Sequence, residues 1–191
     1  MDFFNYDNKL SPQKGRLLIS EPCLPDPNFE RTVVLLCEHN QDGSFGFVLN
    51  KPSQVLVEDI IPEFKNVKEK VFIGGPVQQD TFHFIHRNDQ LDGALPIIEG
   101  LFWGGNFEQI KVWATTGAIC QTDYKFFVGY SGWAEGQLEE ELEAGSWIVA
   151  ESVEAEYIFG DKTEELWREV MKALGGRFNI YSNYPVDPRL N

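Results

Sequence analysis

The stretch from Phe126 through Gly129-Tyr130-Ser131-Gly132-Trp133 to Leu142 constrains the fold of this chain more than any other. Its aromatic, β-branched start reads as a strand, and glycines then remove the side chains that would let a buried strand continue packing. Gly129 and Gly132 therefore predict a sharp corner, with Trp133 as a packing anchor beside it. From Gly136 to about Glu143 a short helix is predicted, with Leu138 and Leu142 facing inward, and Glu139 to Glu141 lie near its positive end.

Gly129-Tyr130-Ser131-Gly132-Trp133 also invites comparison with the nucleophile elbow G-x-S-x-G, which needs glycine on both sides of a strained strand-to-helix turn. Here the second glycine comes one residue early and Trp133 takes the crowded position. His39, His83 and His86 all precede Ser131, whereas that fold places its histidine after the serine. No catalytic set is expected.

A metal site is not expected either. His83 and His86 are three apart in a segment with strand character, so they should point to opposite faces. Cys37 and His39, two apart, should share a strand face, but two ligands are too few. Cys23, Cys37 and Cys120 fit no zinc spacing and read as reduced thiols. No cofactor motif is present: Gly74-Gly75-Pro76 and Gly104-Gly105-Asn106 lack both the Lys-Ser/Thr ending of a phosphate loop and the G-x-G-x-x-G spacing. The second corner leads into a helix start and has the form of an anion cradle, although tight packing is the commoner reason for paired glycines.

Charge narrows the partners. The formal net charge is -14. Residues 135–169 carry most of the surplus, with Lys162 and Arg168 as their basic residues. No stripe of Lys and Arg converges on one face, so direct nucleic-acid binding is disfavoured. A 42% hydrophobic content in 191 residues is enough for a sizeable core. No run approaches the roughly 18 to 20 apolar residues of a spanning helix, and the start lacks a signal-peptide pattern, so a cytoplasmic protein without membrane contact is expected.

Along the chain, strands are predicted at 15–20, 32–38 and 45–50, the last two as a hairpin, with three prolines between the first two forcing a turn in which Asp26 caps a single helical turn. Residues 53–70 are mixed, with Val57, Ile60, Ile61 and Phe64 at roughly helical spacing and Lys65 to Lys70 as a charged surface loop. Further strands are predicted at 71–73, 81–86, 97–103, 126–130, 147–150 and 156–159. Asn106-Phe107-Glu108-Gln109 is a capping box for a helix ending near Gly117, and Asp161-Lys162-Thr163-Glu164 is a second, before the amphipathic run Leu166 to Leu174. Residues 1–176 are expected to form a single α+β domain, and 177–191 an extended C-terminal tail.

Three separated motifs resemble the YqgE/AlgH family of bacterial proteins. They are Leu17 to Pro22 with Asp26, Phe29 and Arg31, running through His39 and Gly46 to Asn50-Lys51-Pro52; then Gly74-Gly75-Pro76; then Gly129 to Trp133 with Gly136, Gln137 and Glu141. The resemblance implies an α+β fold in which a bifurcated, mostly antiparallel sheet curls into a pseudo-barrel with flanking helices. It also implies a group often labelled transcriptional regulators without a demonstrated mechanism. The family commonly has alanine at the position of Ser131, which weakens a catalytic role there. The motif residues His39, Asn50, Gly74, Gly75, Gly132, Trp133 and Gln137 are candidates for a ligand site, if they do more than fix the fold. The reading that follows is a non-enzymatic protein acting by binding another protein or a small ligand, possessing no catalytic residues, metal or cofactor. Direct DNA-binding regulation and a hydrolase using Ser131 or Cys23 are the alternatives. The sequence leaves the partner, the ligand and the oligomeric state open.

Overall fold

The computed structural model describes residues 10–65, 67–151, 155–160 and 163–184. Its frame is a ten-stranded sheet built from β1 (Leu17–Ser20), β2 (Val33–Asn40), β3 (Gly43–Val48), β4 (Pro52–Leu56), β5 (Lys70–Ile73), β6 (Val77–His86), β7 (Leu95–Ile98), β8 (Leu101–Trp103), β9 (Tyr124–Ala134) and β10 (Trp147–Ala150). The path runs β10-β1-β2-β3-β9-β6-β8-β7, with β4 and β5 as a side branch on β9. The helices are α1 (Val57–Ile60), α2 (Phe107–Thr116), α3 (Gln137–Glu143), α4 (Ala155–Phe159), α5 (Leu166–Leu174) and α6 (Gly176–Tyr181). The fold is thus α+β with a mostly antiparallel sheet, as expected, and the sheet is not closed into a barrel.

The bifurcation lies in β9. Phe126 to Val128 pair with β5 in parallel, while Ser131 to Ala134 pair with β3 in antiparallel fashion. β6 runs along β9 from Tyr124 to Tyr130. Where β9 changes partner, Gly129 has φ +64, a left-handed value that costs a residue with a Cβ about 1–2 kcal/mol. A Cβ there would also meet Val77 O at 2.8 Å and Gly75 O at 2.9 Å.

The expected corner is therefore absent. β9 continues through Gly129 and Gly132 to Ala134, because Gly129 bends the strand from one neighbour to the next and does not end it. Gly132 lies inside the strand opposite Phe45.

Alternation places the cores. Leu17, Leu35, Phe47, Phe127 and Ile148 point to one face and pack with Ile158, Trp167, Val170, Met171 and Phe178 of α4, α5 and α6. On the opposite face Phe126, Phe84, Phe64 and Ile110 form a core under α1 and α2, and Leu18, Val34, Val48, Trp133 and Trp147 form another under Leu138 of α3. The amphipathic run at 166–174 forms α5, as its spacing requires.

Most predicted strands are present, and the differences have local causes. Residues 52–56 are strand β4, held against β5, so the helical part of the mixed stretch is confined to α1 and a single 3-10 turn at Pro62–Phe64. The predicted strand at 156–159 is helix α4; its Tyr157, Ile158 and Phe159 pack against the helix-covered core, and tertiary packing overrides β propensity there. Asp161 and Lys162 of the second capping box lie outside the described residues. Residues 177–181, expected as extended tail, belong to α6 because Phe178 is buried in that same core; residues 185–191 lie outside the described residues.

If the partner change requires glycine, Gly129→Ala should lower stability by about 2 kcal/mol or more, from left-handed strain plus contact with two carbonyl oxygens. A urea midpoint within error of the parent would show that the strand tolerates a side chain there.

Candidate functional site

The candidate residues are split between two faces and a loop junction. On the α3 face, the carboxylate of Glu141 organises the contacts. Its Oε2 accepts hydrogen bonds from Trp133 Nε1 at 2.9 Å and Trp147 Nε1 at 2.7 Å, and its Oε1 accepts one from Gln137 Nε2 at 2.9 Å. Gln137 Oε1 in turn accepts from the Ala134 amide at 3.0 Å. Trp133 and Gln137 are thereby used to fasten α3 to β9 and β10.

His39 sits on the same face. Its Nδ1 is 2.7 Å from Ser44 Oγ, and its Nε2 is 3.7 Å from Glu139 Oε1, beyond hydrogen-bond length. The register pairs His39 with Ser44 and Ser44 with Trp133. Sequence reading missed the Ser44 contact; the signal was the hairpin itself, which brings residues five apart opposite each other. The bulge between Leu36 and Glu38 leaves Cys37 in the helix-covered core and His39 on the α3 face, so the expected shared face does not exist. Burial raises the Cys37 thiol well above its ordinary pKa.

Asn50 serves as a loop lock. Its Oδ1 accepts from the Val33 amide at 2.9 Å, and its Nδ2 donates to Arg31 O at 2.8 Å. The Lys51 ammonium donates to Pro27 O and Asn28 O, fixing the proline loop to the next strand. Gly74 and Gly75 lie under β9: a Cβ on Gly74 would meet Gly129 O at 2.4 Å, and one on Gly75 would meet Tyr130 C at 2.3 Å. Ser131 is fully buried, and its hydroxyl donates to Gly74 O at 3.0 Å. At the other glycine corner, the Asn106 side chain accepts from the Glu108 and Gln109 amides, filling the cradle an anion would use.

The opposite face at the end of the β2–β3 hairpin carries a cleft of about 630 Å³. Gly132 belongs to its lining, along with Phe45, His83, Trp103 and Tyr130. These four rings form a closed circuit of neighbours: Phe45 to Trp103 4.7 Å, Trp103 to His83 6.5 Å, His83 to Tyr130 5.9 Å and Tyr130 to Phe45 6.2 Å between centroids. They are half-buried, and together they close the end of the core that the helices cover. Glu38 and Asp42 add carboxylates, with Glu38 Oε1 held at 2.9 Å by Asn40 Nδ2. Burial lowers the pKa of His83, whose Nε2 is 2.8 Å from Thr81 Oγ1. The structure thus brings Gly132 and Trp133 to the cleft lining, while Asn50, Gly74, Gly75 and Gln137 serve packing and hydrogen bonding elsewhere. Among the described residues, no group of three or more His, Cys, Asp or Glu is arranged to hold a metal ion.

A family profile described as AlgH-like matches residues 17–179. The chain belongs to this family. It is 46% identical over 180 residues to a UPF0301 protein of Cytophaga hutchinsonii, covering 93% of this chain and 98% of that one. A UPF0301 protein of Chlorobium limicola is 46% identical over 188 residues, covering 98% and 99%. The crystal structure of protein DIP2367 from Corynebacterium diphtheriae superposes with TM-score 0.79 at 26% identity, covering 95% of this chain and 97% of that one. The solution structure of the AlgH protein from Pseudomonas aeruginosa gives 0.71 at 25% identity, covering 94% and 98%. Family membership fixes the fold and leaves the activity open. No helix among the described residues is long and apolar enough to cross a membrane.

The aromatic cleft was the functional candidate that sequence reading did not assemble. Phe45, His83, Trp103 and Tyr130 come from four strands, and each taken singly reads as core. Within the family fold, the Glu141 contacts predict a cost of about 2–4 kcal/mol for Glu141→Ala, because two buried indole N–H groups lose their acceptor; chemical denaturation measures it. The pH dependence has a definite sign. Burial holds His83 and His86 below the ordinary 6.5 in the folded chain, with the Gly104 carbonyl bonded to His86 acting in the opposite direction. The unfolded chain then binds more protons on acidification, so their contribution is complete above about pH 6.5 and is lost as pH falls from there through the folded values. Urea midpoints should drop between pH 7.5 and pH 5.5, with a shallower drop in His86→Phe.

Proposed function

We propose that this AlgH-like chain is a non-enzymatic cytoplasmic binding protein that takes a small ligand in the aromatic cleft and uses that binding in regulation. The observation that carries the reading is the closed circuit of Phe45, Trp103, His83 and Tyr130 beside a volume of about 630 Å³. A cavity of a few hundred Å³, mostly apolar with a few fixed polar groups, is the usual form of a small-molecule site. Gly132 belongs to the lining, and a Cβ there would come within 3.2 Å of the Tyr130 ring. Direct DNA binding, the activity the label of the family suggests, is disfavoured by the formal charge of -14 and by the carboxylates at the cleft.

A second reading, hydrolysis, is favoured by one observation, the 2.7 Å contact of His39 Nδ1 with Ser44 Oγ. It ranks below binding because Glu139, at 3.7 Å, does not orient the imidazole as a triad acid would. Covalent labelling by a fluorophosphonate that disappears in Ser44→Ala would move it to first place.

Binding is tested with a set of small aromatic and aliphatic fragments titrated into the isotope-labelled protein. Fragments from the set should shift the Trp103 indole signal and its cleft neighbours, and Phe45→Ala should weaken them about tenfold while retaining the circular-dichroism spectrum. No shifted cleft signal, or full affinity in Phe45→Ala, would refute the site.

A further inference from the structure

The geometry points to a small organic cation, an alkylammonium group on a compact apolar body, as the ligand of the cleft, held at its mouth against the rings of Phe45, Trp103 and Tyr130 and beside the carboxylate of Glu38. This rests on the reading of the cleft as a ligand site and adds the chemical class.

Charge is the first argument. Glu38 and Asp42 line the cleft and neither Lys nor Arg does, among the described residues. Within those residues, no Lys or Arg lies at ion-pair distance from either carboxylate. The Asn40 amide holds Glu38 in place by a hydrogen bond, which leaves its charge uncompensated. The surplus of acids across the chain raises the local concentration of cations further. An anionic ligand would meet the reverse of each of these effects.

The rings are the second argument. An aromatic face attracts a cation within about 6 Å of its centroid, most strongly for Trp. Neighbouring centroids 4.7 to 6.5 Å apart let one ammonium group at the mouth reach more than one ring. Burial keeps His83 deprotonated near neutrality, so the fourth ring adds a π surface and no repelling charge.

The rest of the molecule supplies the contrast. Several rings elsewhere are covered by the chain's own cations: Lys125 Nζ stands 3.8 Å over Phe72, Arg87 lies 4.5 Å over Phe159 and Arg31 lies 4.9 Å over Trp167. Among the described residues, no cation of the chain lies over Phe45, Trp103 or Tyr130. Half-buried rings that no chain cation covers, beside two carboxylates, fit a cation that arrives from solution.

The test uses the full chain, with tetramethylammonium and choline as probes and the uncharged carbon isostere of choline as control, followed by calorimetry and by the Trp103 indole resonance. Choline should bind about tenfold more tightly than its isostere, with shifts confined to the cleft. Glu38→Gln, an exposed substitution that leaves the fold intact, should weaken choline several-fold and leave the isostere unchanged; Trp103→Ala should weaken both. Equal binding of choline and its isostere, unchanged choline affinity in Glu38→Gln, or shifts mapping elsewhere would overturn the cation. If neither probe binds while apolar fragments still do, the cation is overturned and the ligand site stands; if the fragments also fail, both fall.

Discussion

Everything in this structure depends on one strand having two neighbours along the same edge. β9 gives Phe126 to Val128 to β5 and Ser131 to Ala134 to β3, and it can do so only if the backbone rotates between them. Gly129 makes the rotation, and Gly74 and Gly75 let the chain leaving β5 pass close beneath it. The Gly74 carbonyl then accepts from both the Val48 amide and the Ser131 hydroxyl, so a single oxygen joins the two branches to β9. Backbone crossing at this distance excludes side chains, which is why the glycines concentrate here.

The fork divides labour between the two faces. On one, Glu141 gathers two indoles and Gln137, and Leu138 seals the hydrophobic layer beneath. Two desolvated indole donors that depend on one carboxylate give that face rigidity, since losing the acceptor leaves both without it at once. On the other, α4, α5 and α6 cover most of the sheet, and the remaining end exposes half-buried rings around a cleft. The rigid face positions β9 and therefore positions Tyr130 and Gly132 on the reverse side. The residues that fix the fold and the residues that can meet a ligand alternate along a single strand.

That alternation explains what was legible in the sequence. The hydrophobic periods of β1, β2, β3, β6 and α5 were readable because each is set by local spacing. Asn106 and Gly117 marked the ends of α2 correctly, because capping is chemistry between residues a few positions apart. Gly129 was read as a corner because local sequence cannot distinguish a glycine that ends a strand from one that lets it change partners. The helix at Ala155–Phe159 was missed because Tyr157, Ile158 and Phe159 favour strands in isolation, and only the core they meet decides otherwise. For the candidate site, the motif residues were visible as a set, but their division into fold and cleft was not. The side chain of Trp133 faces Glu141 while its neighbour Gly132 faces the cleft, and that follows from register alone.

The order of the strands has a further consequence for how the molecule is made. β9 lies between β3 and β6 and also holds β5, yet it begins at Tyr124; β1, at the start of the described chain, pairs with β10, and Trp167 Nε1 donates to Ser20 O at 2.9 Å. On the ribosome, the N-terminal strands are complete well before their central partner emerges. Until then the β2–β3 hairpin carries an open hydrogen-bonding edge and two apolar faces, features that favour association with other chains. Synthesis of this sheet therefore leaves the β3 edge open until Ala134 is made and the outer β1 edge open until Ala150 is made.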